Sequence, residues 1–85
     1  MNIFKNKKIL IYGLGKSGLS AFKFLRNKNK IYLFDDYLSK FKTTKIKNYL
    51  VSFRNISKLK FDQIILSPGI DINKCRLSSF LKKNY

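Results

Sequence analysis

Residues 8–19 have the sequence KILIYGLGKSGL, which predicts a strand, a tight glycine loop and the start of a helix. The apolar run at residues 9–12 is typical of a strand buried on both faces. It ends at the pattern Gly13-x-Gly15-x-x-Gly18. In such a loop the first glycine permits the turn, the second lets a diphosphate approach the backbone, and the third lets the helix pack closely on the strand. The helix N-terminus favours the anion. The alternative is that these glycines serve packing alone.

The rest of the chain continues an alternation of strands and helices. Apolar runs predict strands at residues 31–34 and 63–67, and helical spacing of apolar residues predicts helices at about 17–27 and 74–83. Between them, residues 37–47 fit a loop with a short helix, and residues 49–52 fit a further strand. This order favours an α/β fold, a Rossmann-like parallel sheet of three to four strands with flanking helices and right-handed crossovers. Because the sequence stops after a helix, we expect a domain truncated before its last strand.

The composition excludes several classes of site. The chain has 19 basic and 4 acidic residues, a net charge of +15, no histidine and one cysteine, Cys75. We therefore expect no catalytic triad, no metal site and no disulfide, which fits a reducing, cytoplasmic setting. No apolar run approaches the roughly 20 residues that span a membrane. The lysines are dispersed along the chain, which favours a lysine-rich surface over a nucleic-acid interface, although a basic nucleic-acid-binding protein remains an alternative.

Two further motifs follow the predicted strands. Asp35-Asp36 ends the second strand, where a carboxylate accepts hydrogen bonds from nucleotide hydroxyls or base N–H groups. A solvated turn is the alternative. Ser67-Pro68-Gly69-Ile70 ends the later strand, so it lies at the same rim of a parallel sheet. There Ser67 offers a hydroxyl and Gly69 permits close approach of a ligand to the backbone, unless the segment is an ordinary strand-ending turn.

The triplet Gly15-Lys16-Ser17 matches the end of a Walker A motif, but the rest of the loop does not. Such a loop needs a glycine five positions before its second glycine, and that position is occupied here by Leu10, within the first strand. We therefore assign no ATP hydrolysis to this loop.

Taken together, residues 8–20, Asp35-Asp36 and the segment Leu-Ser-Pro-Gly-Ile at 66–70 resemble the N-terminal domain of the Mur ligase family, and within it the ligases that add D-glutamate to UDP-N-acetylmuramoyl-L-alanine. The resemblance implies a Rossmann-like domain that binds UDP-N-acetylmuramoyl-L-alanine in place of NAD. It implies a diphosphate contact at the glycine loop, a uracil contact after the second strand, and a further approach from the second loop. The implied substrate-binding residues are Gly15, Lys16, Ser17, Gly18, Asp35, Asp36, Tyr37, Ser67 and Gly69. The family often has a basic residue where this chain has Tyr37.

The resemblance also implies what this chain lacks. ATP and Mg²⁺ belong to the central ATPase and C-terminal domains of the family, so residues 1–85 would form an incomplete substrate-binding domain without cofactor, catalytic residue or activity of its own. The implied partners are UDP-N-acetylmuramoyl-L-alanine and the remaining ligase domains, in the cytoplasm, and neither nucleic acid nor membrane. A stand-alone NAD-binding Rossmann module is the other alternative.

Overall fold

The computed structural model describes residues 6–41 and 44–84, which contain a three-stranded, all-parallel sheet in the order β2-β1-β3. The strands are β1 (Lys8–Tyr12), β2 (Lys30–Phe34) and β3 (Gln63–Leu66). Helix α1 (Lys16–Leu25) connects β1 to β2. A one-turn helix, α2 (Phe53–Ile56), precedes β3, and α3 (Ser78–Asn84) follows it. The predicted α/β fold with a parallel sheet is thereby confirmed.

The central strand β1 is apolar on both faces because helices cover both sides of the sheet. Alternate residues of a strand point to opposite faces. One face packs against α1 through buried residues: Ile9, Ile11, Leu14, Phe22, Leu25, Ile31 and Leu33. The other face packs against α2 and α3: Leu10, Tyr12, Phe34, Val51, Ile56, Ile64, Leu77 and Leu81. Full burial of one such side chain contributes about 1.5–3 kcal/mol.

The segment between β2 and α2 differs from the prediction. Residues 49–52 do not form a strand: Leu50 makes one isolated parallel bridge to Leu33, with a hydrogen bond from Val51 N–H to Leu33 C=O at 2.9 Å. Two 3₁₀ turns, Leu38–Phe41 and Lys47–Tyr49, lie near the two ends of the predicted loop, of which residues 42–43 lie outside the described part. The second turn uses the local backbone bond from Tyr49 N–H to Ile46 C=O, which competes with strand pairing.

Helix α2 was not predicted, and α3 begins four residues later than the helix predicted at residues 74–83. Ser52 caps α2 by accepting a hydrogen bond from Asn55 N–H at 3.3 Å. Before α3, Asp71 accepts from Asn73 N–H through its carboxylate and from the amides of Lys74 and Cys75 through its carbonyl. These bonds hold residues 71–76 in turns, so α3 begins at Ser78. Residues 1–5 and Tyr85 lie outside the described part of the chain.

Among the described residues, the helices are too short and too polar to cross a membrane.

Candidate functional site

The loop between β1 and α1 turns sharply at Gly13. Its φ of +101° lies in a region that side-chain-bearing residues rarely adopt, and a Cβ there would lie 2.6 Å from Ser67 Oγ. The Gly13 N–H donates to Phe34 C=O at 2.8 Å, so the turn is fixed to the end of β2. The role predicted for the first glycine of the motif agrees with this geometry.

Gly18 lies where α1 crosses directly over that turn. A Cβ at this position would lie 1.9 Å from the carbonyl oxygen of Gly13 and 3.4 Å from Ser67 Oγ. Since real Cβ atoms do not approach an oxygen so closely, only glycine allows α1 to sit this near the strand end. Gly18 therefore serves packing, as the motif predicts for its third glycine.

Ser67 joins the second loop to the first. Its hydroxyl donates to Gly13 C=O at 2.9 Å, and its N–H donates to Tyr12 C=O at 3.0 Å. A further backbone bond runs from Ile70 N–H to Ser67 C=O and closes the Pro68-Gly69 turn. Because the hydroxyl proton is committed to Gly13, the hydroxyl could only accept a hydrogen bond from a ligand.

Both carboxylate oxygens of Asp35 bind backbone amides. Oδ2 accepts from Leu14 N–H in the glycine loop, and Oδ1 accepts from Tyr37 N–H, each at 2.8 Å. Charge-assisted hydrogen bonds of this kind are stronger than neutral ones. Asp35 thus fixes the position of the glycine loop relative to the end of β2.

Asp36 is paired with a tyrosine from the central strand. The fully buried Tyr12 donates its hydroxyl to Asp36 Oδ1 at 2.5 Å. Burial, and then this hydrogen bond, raise the pKa of the Tyr12 phenol well above its usual value. Tyr12 therefore remains a neutral donor to Asp36. This pairing was not predicted, although a tyrosine in an otherwise aliphatic strand signals that its hydroxyl needs a hydrogen-bond partner.

Two glycines of the predicted site face open space. A Cβ at Gly15 or at Gly69 would meet no atom within 4 Å, in contrast to Gly13 and Gly18. No contact within the described residues explains why glycine occupies Gly15 and Gly69. Both lie at the carboxyl rim of the sheet, one in each loop.

At this rim, the start of α1 provides amide donors that have no backbone partner among the described residues. The first bond within the helix runs from Leu19 N–H to Gly15 C=O at 3.0 Å, so the amides of residues 16–18 have no partner within the helix. Gly15 is the N-cap and supplies no capping side chain, and the first turn has no acidic residue. Lys16 and Ser17 are exposed. This end of α1 combines amide donors, a positive helix-dipole end and a lysine, which together favour an anion.

Tyr37 projects away from the core and is 66% exposed. Lys40 Nζ lies 4.9 Å from its ring centroid, a distance that permits a cation–π contact. The structure therefore supplies a cation beside the position where the resemblance expects one.

Cys75 is half-buried and has a weak contact from its Sγ to Ile72 C=O at 3.9 Å. Within residues 6–41 and 44–84, no group of three or more His, Cys, Asp or Glu side chains could hold a metal ion.

The sequence profile of one family, described as Mur ligase MurD-like, N-terminal domain, matches residues 7–85. The chain belongs to this family. The matched range of the MurD-like domain includes both loops, Asp35, Asp36 and Tyr37.

Curated relatives of this MurD-like domain are named UDP-N-acetylmuramoylalanine--D-glutamate ligase. The protein from Rickettsia bellii is 36% identical over 75 residues, covering 85% of this chain and 17% of the relative. The Rickettsia prowazekii protein is 35% identical with the same coverage, and the Wolbachia pipientis protein is 31% identical over 82% of this chain and 14% of the relative. The chain thus spans less than a fifth of the length of these relatives. No solved structure matches it.

Proposed function

We propose that the carboxyl rim of this MurD-like domain binds the UDP moiety of UDP-N-acetylmuramoyl-L-alanine, as part of a ligase that adds D-glutamate to this substrate with ATP. The observation that carries the proposal is the pair of open glycines, Gly15 and Gly69, beside the unpaired amides at the start of α1. A ligand that must approach the backbone closely explains why glycine occupies a position where a side chain would meet no protein atom.

The diphosphate would lie at the start of α1. The amides of residues 16–18 would donate to its oxygens, and the Ser17 hydroxyl could add another hydrogen bond. Lys16 would contribute a positive charge. Gly18 would act indirectly, because its packing against Gly13 fixes the direction of the helix start.

The uracil would lie beyond the end of β2, near Asp35, Asp36 and Tyr37. Asp35 would contribute mainly by holding the glycine loop in place, since both of its oxygens accept backbone amides. Asp36 has one oxygen held by Tyr12, which leaves Oδ2 to accept a base N–H. Ser67 would hold the second loop so that Gly69 faces the substrate.

The remaining chemistry is proposed for other parts of such a ligase. ATP, Mg²⁺ and D-glutamate would be bound by the central and C-terminal domains, which would be the partners of this domain. A cytoplasmic location, and an absence of nucleic-acid and membrane partners, stay predictions of the resemblance.

Amide chemical shifts of the ¹⁵N-labelled chain test the proposal. UDP-N-acetylmuramoyl-L-alanine should shift residues 15–18, Asp36 and Gly69 more than NAD does at equal concentration. Gly15→Ala should weaken this binding at least about tenfold, because the methyl group would occupy the space that the diphosphate needs. Ser20→Ala, an exposed change one turn further along α1, is the matched control and should bind as the wild type does.

Two results would contradict the proposal. Equal or larger shifts with NAD would favour a dinucleotide-binding module. Unchanged affinity in Gly15→Ala would place the diphosphate elsewhere.

A further inference from the structure

A second concave surface lies on the opposite side of the sheet from α1, between α2 and α3. This α2–α3 cleft has a volume of about 580 Å³, within the usual range for small-molecule sites. Its lining includes the buried Ile56 and Leu77, the half-exposed Phe53 and two serine hydroxyls, Ser57 and Ser79. The cleft therefore offers an apolar surface next to polar groups.

The charge of the α2–α3 cleft has one sign. Arg54, Arg76 and Lys83 line it, and none of the chain's four aspartates does. An anionic ligand would therefore meet cations on the cleft walls and none of the aspartates, all of which lie in the described part of the chain.

The use of arginine is informative in a chain with so many lysines. The chain contains 16 lysines and 3 arginines, and two of those three arginines line this one cleft. The third, Arg26, packs over Phe22 at 5.5 Å. Arginine presents a planar fork that binds phosphate and carboxylate oxygens in pairs, whereas lysine acts as a point charge.

Arg76 lies over two aromatic rings. Its Cζ lies 4.8 Å from the ring centroid of Phe53 and 6.0 Å from that of Phe34. Ring contacts of this kind do not occupy the N–H donors of the guanidinium as hydrogen bonds would. Within the described residues, neither Arg54 nor Arg76 donates a side-chain hydrogen bond to the protein. Both forks are thus available to a ligand.

We propose that the α2–α3 cleft binds a small organic phosphate, a monoester with a ring or another apolar part. Its phosphate would lie between Arg54 and Arg76, with the serine hydroxyls as further donors, and its apolar part would lie against Phe53 and Leu77. A phosphate monoester suits a cleft lined by two guanidinium groups because it carries close to two negative charges at neutral pH. This site is separate from the proposed UDP site and goes beyond it.

Phenyl phosphate is the probe for this site, with inorganic phosphate and benzoate as comparison ligands. Titration of the ¹⁵N-labelled chain with phenyl phosphate should give saturable amide shifts at residues 53–57 and 76–83, with smaller shifts at 15–18. Inorganic phosphate should bind more weakly because it lacks the ring, and benzoate because it carries one charge.

Substitutions distinguish binding in the α2–α3 cleft from a general effect of the net charge. Arg54→Gln and Arg76→Gln should each weaken phenyl phosphate binding about fivefold. Arg26→Gln removes the same charge outside the cleft and should leave the affinity unchanged. If Arg76→Gln loses a dispersed spectrum, Arg54→Gln decides the test, since Arg54 makes no ring contact in the described structure.

Three results would overturn the proposal. One is the absence of saturable shifts in the cleft. Another is equal weakening in all three variants, which would indicate net charge alone. The third is equal affinity for phenyl phosphate, inorganic phosphate and benzoate.

Discussion

Replacing Gly18 by alanine should destabilise the domain, although alanine is the better helix former. The added methyl group would lie 1.9 Å from the Gly13 carbonyl oxygen, so the two must separate by at least 1.1 Å to reach 3.0 Å (3.0 − 1.9). Gly13 cannot yield easily. Its N–H is bonded to Phe34 and its oxygen accepts the Ser67 hydroxyl.

The size of the effect follows from three contributions. Overpacking costs about 1–3 kcal/mol. Loss of the Ser67–Gly13 hydrogen bond costs about 1 kcal/mol. The higher helix propensity of alanine offsets about 1 kcal/mol of this loss of stability. The net loss should be about 1–3 kcal/mol, which lowers the Tm of a domain of this size by about 4–24 °C.

Gly15→Ala is the matched control because it adds the same methyl group three residues earlier, at the N-cap of α1, where no atom lies within 4 Å. It should change the free energy of unfolding by less than about 1 kcal/mol. Thermal unfolding followed by circular dichroism measures both variants. A Tm for Gly18→Ala within about 3 °C of the wild type would refute the close packing of α1 on the glycine turn.

Three further predictions concern single side chains. Asp35→Ala should lower the free energy of unfolding in urea by about 2–3 kcal/mol, because two backbone amides lose a charged acceptor. Asp71→Ala removes the same charge and only one such hydrogen bond, so it should lower the free energy of unfolding less. Equal losses in the two variants would argue against a role of Asp35 in fixing the glycine loop. Burial keeps the pKa of the Tyr12 phenol raised in the folded state. The neutral phenol therefore stabilises the fold fully below about pH 10, and this stabilisation is lost as the pH rises further, because the phenol ionises more readily in the unfolded chain. Wild-type stability should therefore fall more steeply above pH 10 than that of Tyr12→Phe, and parallel profiles would contradict this. Phe24→Ser, at a site 83% exposed, should leave the Tm within about 3 °C, and a larger drop would indicate that Phe24 packs against something.

The core of the fold was predictable because its signals are local. Runs of four or five apolar residues specify strands buried on both faces, and their alternation with helical spacing specifies a parallel sheet. The glycine spacing identified the turn at Gly13 and the close packing at Gly18, which the structure confirms. Residues 49–52 show the limit of such signals: a short apolar run is compatible with a strand, and here local 3₁₀ bonds leave only the Leu33–Leu50 bridge.

By itself, then, the sequence determined the three parallel strands, the helices α1 and α3 near them, the family and the two rim loops. Only the tertiary structure decided what the polar side chains do there. Tyr12 and Asp36 are separated by 24 residues, and Gly13 and Ser67 by 54, and each pair is joined by a hydrogen bond that no local pattern encodes. The same holds for Arg54 and Arg76, which line one cleft because α2 and α3 pack on the same face of the sheet. Apolar periodicity specifies which face of an element is buried, whereas the partner of a polar group depends on which elements the folded chain brings together.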